Sequence, residues 1–195
     1  MLQKKLKNYN LILASGSPRR HHFFKELDLD FTIDVRSVEE VYDPSLKEAE
    51  ITDYLSKLKA SVFTDLKEND ILITSDTIVW KDGRPLEKAQ NEAEAKTMLR
   101  DLSGEMHEVF TSVCFTGKNF QEVVNDCTKV WFKELSEEEI DYYIKTYQPY
   151  DKAGSYGVQE WLGYIGIEKL EGCYFNVMGM PTRLLYKMLM MISKG

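Results

Sequence analysis

Residues 71–80, ILITSDTIVW, constrain the fold more than any other segment. The run is apolar and rich in β-branched residues, so it reads as a core strand. A charge rarely interrupts such a strand unless it is paired or binds a metal. Asp76 is therefore either a metal ligand or general base, or a hydrogen-bonded carboxylate near a strand end.

Other strands and helices are legible around it. Residues 11–15 and 31–35 read as strands. The helical spacing of Ile51, Tyr54, Leu55, Leu58, Val62 and Leu66 predicts a helix over about residues 48–66. A second helix spans residues 92–102 and closes at Ser103-Gly104. Residues 108–115 and 123–132 pair as a hairpin across Gly117-Lys118-Asn119. Ser136-Glu137-Glu138-Glu139 is a capping box, with Leu135 and Ile140 placed for a hydrophobic staple, and its helix runs to about residue 147. Residues 149–163 form an irregular loop, 164–167 a strand, 176–181 a turn, and 182–192 the closing helix. Crossover helices mixed with a hairpin imply an α/β protein with a mixed sheet. Residues 1–195 are read as one domain.

The net charge of −7 removes any bulk attraction to nucleic acid or anionic membranes, so phosphate must be held by a local basic cluster. Residues 184–192 are too short to span a bilayer and contain Lys187. Cys114, Cys127 and Cys173 are odd in number and form no C-x-x-C pair, which suits free thiols in a reducing cytoplasm. The expected location is cytoplasmic.

Ser15-Gly16-Ser17-Pro18-Arg19-Arg20 joins a strand end, a small-residue turn and a helix start. Ser17 suits the N-cap and Pro18 the first helical position. Free N–H groups and the helix dipole favour an anion there, and the arginines add charge-assisted bonds. An ordinary capped helix with surface arginines is the plainer alternative. Glu39-Glu40, Lys59 and Lys88 are polar groups that can join Asp76, although each alone also suits a solvated surface. In the loop DKAGSYGVQ, residues 151–159, two glycines permit close backbone approach, Lys152 brings charge, and Gln159 can read donor and acceptor edges. His21 and His22 are adjacent and cannot form an i,i+4 metal pair.

Taken together the motifs resemble the Maf family of nucleoside triphosphate pyrophosphatases. LASGSPRR at residues 13–20, SDTIV at 75–79, Leu102-Ser103-Gly104 with His107, Val109 and Thr111, KAGSYGVQ at 152–159 and NVMGMP at 176–181 keep the family's order. The resemblance implies a fold like that of the inosine-triphosphate pyrophosphatases: a long bent mixed sheet flanked by helices, in two lobes with a central cleft. It also implies hydrolysis of a nucleoside triphosphate to monophosphate and pyrophosphate with a divalent cation. Asp-Thr after Ser75 and the Tyr-Gly-Val-Gln loop look like the branch acting on dTTP and UTP. The catalytic acid maps onto Asp76, specificity positions onto Arg19, Thr77 and Gln159, and other polar cleft positions onto Glu40, Lys59 and Lys88, with Lys152 nearby in the loop. The chain departs from the family pattern at Lys88-Ala89, where Lys-Pro is usual, and at Glu160, where Gly is usual. The first alters loop stiffness; the second bears on substrate preference.

The implied chemistry is coherent. Ser15, Ser17, Arg19, Arg20, Lys59 and Lys88 would hold the triphosphate tail, and Mg²⁺ or Mn²⁺ would bridge it to Glu40 and Asp76. The expected partner is a nucleoside triphosphate, with neither nucleic acid nor membrane. A homodimer is compatible, and the sequence does not set the oligomeric state. Two rivals stay open: a non-catalytic nucleotide-binding regulator of septum formation, and the family branch acting on 7-methyl-GTP.

Overall fold

The computed structural model describes residues 2–194. In chain order the elements are α1 (Leu2–Lys5), β1 (Asn10–Leu13), α2 (Pro18–Glu26), β2 (Phe31–Ile33), α3 (Ala49–Ser61), β3 (Asp70–Lys81), β4 (Arg84–Leu86), α4 (Glu92–Leu102), β5 (Met106–Thr116), β6 (Gln121–Phe132), α5 (Glu137–Tyr147), α6 (Trp161–Gly166), β7 (Ile167–Glu171), α7 (Tyr174–Val177) and α8 (Thr182–Ile192). The strands form one mixed sheet in the order β2-β1-β3-β5-β6-β7, with β4 also paired to β3. Leu11 of β1 lies opposite Phe31 and Ile71 in two parallel ladders, while β4 and β7 pair antiparallel to β3 and β6. Every residue of β3 except Thr77 is buried, as suits a central strand rich in β-branched residues.

The chain divides into two compact units. One comprises residues 1–76, 111–126 and 179–195; the other comprises 77–110 and 127–178. In the first, Ala60, Phe63, Leu72 and Cys114 form a buried cluster with Ile12 and Val123 against it. In the second, Leu99, Leu102, Val130, Ile140, Tyr143 and Leu162 are among the buried core residues.

Local signals explain the helix ends. Asn91 accepts from the Glu94 N–H at 3.0 Å, and Ser136 with Glu139 forms the full reciprocal capping box. Leu135 and Ile140 are both buried in the same cluster, as a hydrophobic staple needs. Helices α4 and α8 coincide with their sequence-based bounds, and α5 ends at Tyr147.

Some expectations are overturned. Helix α3 ends at Ser61, about five residues short of its expected end near residue 66. Residues 164–167 were expected as a strand, but Trp161–Gly166 is helical and the strand begins at Ile167. Helical winding buries Leu162 and Gly166 and leaves Tyr164 78% exposed, a division that a strand starting at Tyr164 would not give. Trp161 meets Tyr142 edge-on at 4.8 Å, which docks the start of α6 on α5. Strand β2 ends at Ile33, two residues short of its expected end. Among the described residues, no helix is long and apolar enough to cross a membrane.

Candidate active site

The segment between β1 and α2 is organised by side chains folding back on it. Ser15 Oγ accepts from the Ser17 N–H at 3.2 Å, and His21 Nε2 lies 2.5 Å from the Ser15 carbonyl. Ser17 occupies the N-cap and Pro18 follows it, as expected, yet the Ser17 side chain makes no capping bond. The start of α2 thus has no cap from Ser17, which suits an anion better than a capped end does.

Arg20 joins three backbone segments of the same unit. Its Nε donates to the Gly179 carbonyl at 2.9 Å and its Nη1 to the Ser75 carbonyl at 2.8 Å, with Ser15 Oγ at 3.5 Å. Burial pushes its pKa down to about 10, a fall opposed by the charge of Asp76, furthered by Arg19 and opposed again by Glu40. Arg20 therefore braces the backbone around Asp76, and half-buried Arg19 stands beside it in the same field.

Asp76 is paired. Lys59 Nζ lies 2.6 Å from Asp76 Oδ1 and 3.0 Å from Glu40 Oε2. Thr74 Oγ1 donates to the Ser56 carbonyl at 2.6 Å, tying β3 to α3 one turn before Lys59. That bond brings Lys59, in the last turn of α3, onto the carboxylate. Asp76 is 8% exposed, whereas the Glu40 side chain is 47% exposed. Two carboxylates thus converge on a single cationic group. Hard oxygen donors of this kind suit Mg²⁺ or Mn²⁺, which take one or two carboxylates and complete their shell with water and phosphate. Among the described residues, no group of three His, Cys, Asp or Glu side chains stands ready to hold a metal unaided. Glu40 and Asp76 are the two hard oxygen donors here, and both face the Lys59 ammonium.

The remaining sequence-derived residues belong to the other unit. Thr77 is the only incompletely buried residue of β3. Lys88 is exposed, and its backbone forms an isolated antiparallel bridge with Ala153. The Gly154 N–H donates to the Leu86 and Glu87 carbonyls at 3.0 and 3.2 Å. A Cβ on Gly154 would stand 2.9 Å from Val79 Cγ2, and its φ is +65°, so only glycine fits this approach to β3. The loop bearing Lys152 and Gln159 is thereby fastened to β3 and β4. Lys152 is not a loose charge: its Nζ lies 2.8 Å from Asp151 Oδ1 and 2.9 Å from Glu160 Oε1.

His107 and Tyr156 stand in motifs of the sequence, but nothing local shows that they meet. His107 Nε2 lies 2.7 Å from the Tyr156 hydroxyl, and both rings pack edge-on against Phe132. Burial, reinforced by the charge of Lys81, drops the His107 pKa to about 3, and burial raises that of the Tyr156 hydroxyl. His107 is thus a neutral anchor for the loop. Tyr143 and Glu160 also hold the loop through the Tyr143 hydroxyl, a contact that no local pattern marks. The Asp82-Gly83 hairpin turn between β3 and β4 did carry a signal, the Asp-Gly pair itself.

The mixed α/β architecture is shared with solved structures. A HAM1 protein from Coxiella burnetii superposes with a TM-score of 0.53 and 14% identity, covering 94% of this chain and 99% of that one. The fold and its sheet order define a mixed α/β protein in which two carboxylates meet one lysine. Residues 10–192 match the family described as Maf-like protein, and the chain belongs to that family. A protein named dTTP/UTP pyrophosphatase from Christiangramia forsetii is 58% identical over 190 residues, 97% of each chain. One of the same name from Bacteroides thetaiotaomicron is 46% identical, over 93% of this chain and 95% of the relative.

Proposed function

We propose that this protein hydrolyses dTTP and UTP to the monophosphate and pyrophosphate. The observation that carries the reading is the 58% identity, across 97% of each chain, to a protein named for that activity. The pairing of Lys59 with Asp76 and Glu40 supports it from the residues themselves.

In this reading Asp76 is the general base, orienting and deprotonating the water that attacks the α-phosphorus. Lys59 holds the Asp76 carboxylate in one orientation and keeps its charge compensated before substrate arrives. Arg20 fixes the backbone of Ser75 and Gly179, so that Asp76 and the β1–α2 turn keep their spacing. Arg19, Ser15, Ser17 and the α2 N-terminus receive phosphate oxygens. Glu40 and Asp76 would hold a divalent cation, which when bound neutralises the triphosphate and the departing pyrophosphate. Arg19, Thr77 and Gln159 set specificity. Uracil and thymine offer an acceptor at O4 and a donor at N3, and the Gln159 amide matches that pair. Nucleoside triphosphates are cytoplasmic metabolites, and an odd number of cysteines with no C-x-x-C spacing suits a reducing compartment, so a cytoplasmic location is part of the proposal.

Product analysis tests the reaction class. UTP incubated with protein and Mg²⁺ is expected to give UMP and pyrophosphate in equal amounts. UDP with inorganic phosphate would contradict attack at the α-phosphorus.

A further inference from the structure

We propose that Tyr143, Glu160 and Lys152 form a positioning network that fixes the Gln159 amide and sharpens the choice of pyrimidine. The proposal rests on the dTTP/UTP reading above and concerns residues flanking the base-reading position.

The links are continuous. Lys152, 8% exposed, places its ammonium 2.9 Å from Glu160 Oε1. The other carboxylate oxygen of Glu160 accepts from the Tyr143 hydroxyl. That hydroxyl accepts in turn from the Gly157 N–H at 2.9 Å. Gly157 is where the Gln159 side chain folds back: a Cβ there would stand 2.8 Å from Gln159 Nε2 and 2.8 Å from Glu160 Cδ. Gln159 therefore lies against a backbone unit whose N–H is held by Tyr143, and the next residue is held at both carboxylate oxygens.

The physics favours rigidity. Tyr143 is fully buried and stacks on Tyr147 at 5.1 Å, so its hydroxyl has one place to be. A nearly buried ammonium and carboxylate are costly to separate, because each would be left desolvated and unpaired. Asp151 also contacts Lys152, but its side chain is 59% exposed and gives a weaker hold. An amide reads a donor and acceptor pattern only if it cannot rotate or shift, so this scaffold turns Gln159 from a flexible contact into a selective one.

The experiment measures kcat and KM for UTP and CTP, with thermal midpoints, in the wild type, Tyr143→Phe and Glu160→Gln. Phe keeps the ring and removes the hydroxyl. Gln still accepts from Tyr143 but no longer neutralises Lys152. Folded Tyr143→Phe is expected to lower the UTP-over-CTP ratio of kcat/KM by about tenfold, through KM, with kcat for UTP within about threefold of wild type. Glu160→Gln is expected to lower the ratio by a smaller factor. A folded pair of variants that keeps the wild-type ratio overturns the network, as does an equal loss of kcat on both nucleotides. A wild type that does not prefer UTP to CTP overturns the underlying specificity reading instead, and the network with it.

Discussion

Lys59 Nζ stands 2.6 Å from Asp76 Oδ1, joining the last turn of α3 to the one carboxylate inside an otherwise uncharged stretch of β3. The contact satisfies a charge that a buried strand would not otherwise tolerate. In the proposed reaction the same carboxylate serves as the general base.

Asp76→Asn keeps the size of the side chain and removes its basicity. Turnover of UTP is expected to fall by about 10² or more, the scale of losing a general base, with the thermal midpoint retained. Near wild-type turnover in a folded variant would make Asp76 a structural residue. Lys59→Met is expected to lower both turnover and thermal midpoint, because it leaves a carboxylate 8% exposed without its cation.

Activity is expected to vanish in excess chelator and to return with Mg²⁺ or Mn²⁺. Because no group of three metal-ligating side chains stands together among the described residues, chelator without nucleotide is expected to leave the thermal midpoint unchanged. Full activity in excess chelator would rule out a role for Glu40 and Asp76 in holding a cation.

Arg20 is expected to matter more for structure than for phosphate affinity. Arg20→Lys replaces a planar fork by a point charge that cannot serve the Ser75 and Gly179 carbonyls together. A loss of about 1–3 kcal/mol in unfolding free energy is expected, the usual cost of a buried acceptor left unpaired. An unchanged denaturation midpoint with a raised KM would return Arg20 to direct phosphate binding.

His107 predicts an acid-sensitive fold. Its folded pKa of about 3 lies below the unfolded value, so between the two the unfolded chain binds a proton that the folded one refuses. The stabilisation is complete above about pH 6.5 and is lost as pH falls toward the folded pKa, at about 1.4 kcal/mol per pH unit. Denaturation at pH 7 and pH 5 is expected to show a steeper loss for the wild type than for His107→Gln. Parallel losses would mean that His107 is protonated in the folded state.

Legibility in the sequence followed the range of the interactions. The Ser136–Glu139 capping box, the Ser17-Pro18 helix start and the β-branched run of β3 are local, and each was readable from neighbouring residues. The helix Trp161–Gly166 was misread because a short apolar run containing glycines carries no period that separates helix from strand. The charge of Arg20 is plain in the sequence, but its bonds to Ser75 and Gly179 reach 55 and 159 residues away and carry no local signal. His107 with Tyr156, and Tyr143 with Glu160, are joined only by the fold, so no spacing rule reveals them. Lys152 shows the same limit: its charge is evident from the sequence, but its compensation by Glu160 is not.

The most direct test is a steady-state comparison of pyrophosphate release from UTP, dTTP, CTP, ATP and 7-methyl-GTP with Mg²⁺. UTP and dTTP are expected to be turned over with kcat/KM about tenfold to a hundredfold above CTP and ATP, the discrimination available from one mismatched hydrogen-bond pattern. Equal efficiency on UTP and CTP would contradict base reading by Gln159, a preference for 7-methyl-GTP would move the protein to the other branch of its family, and binding without release of pyrophosphate would make it a regulator rather than an enzyme.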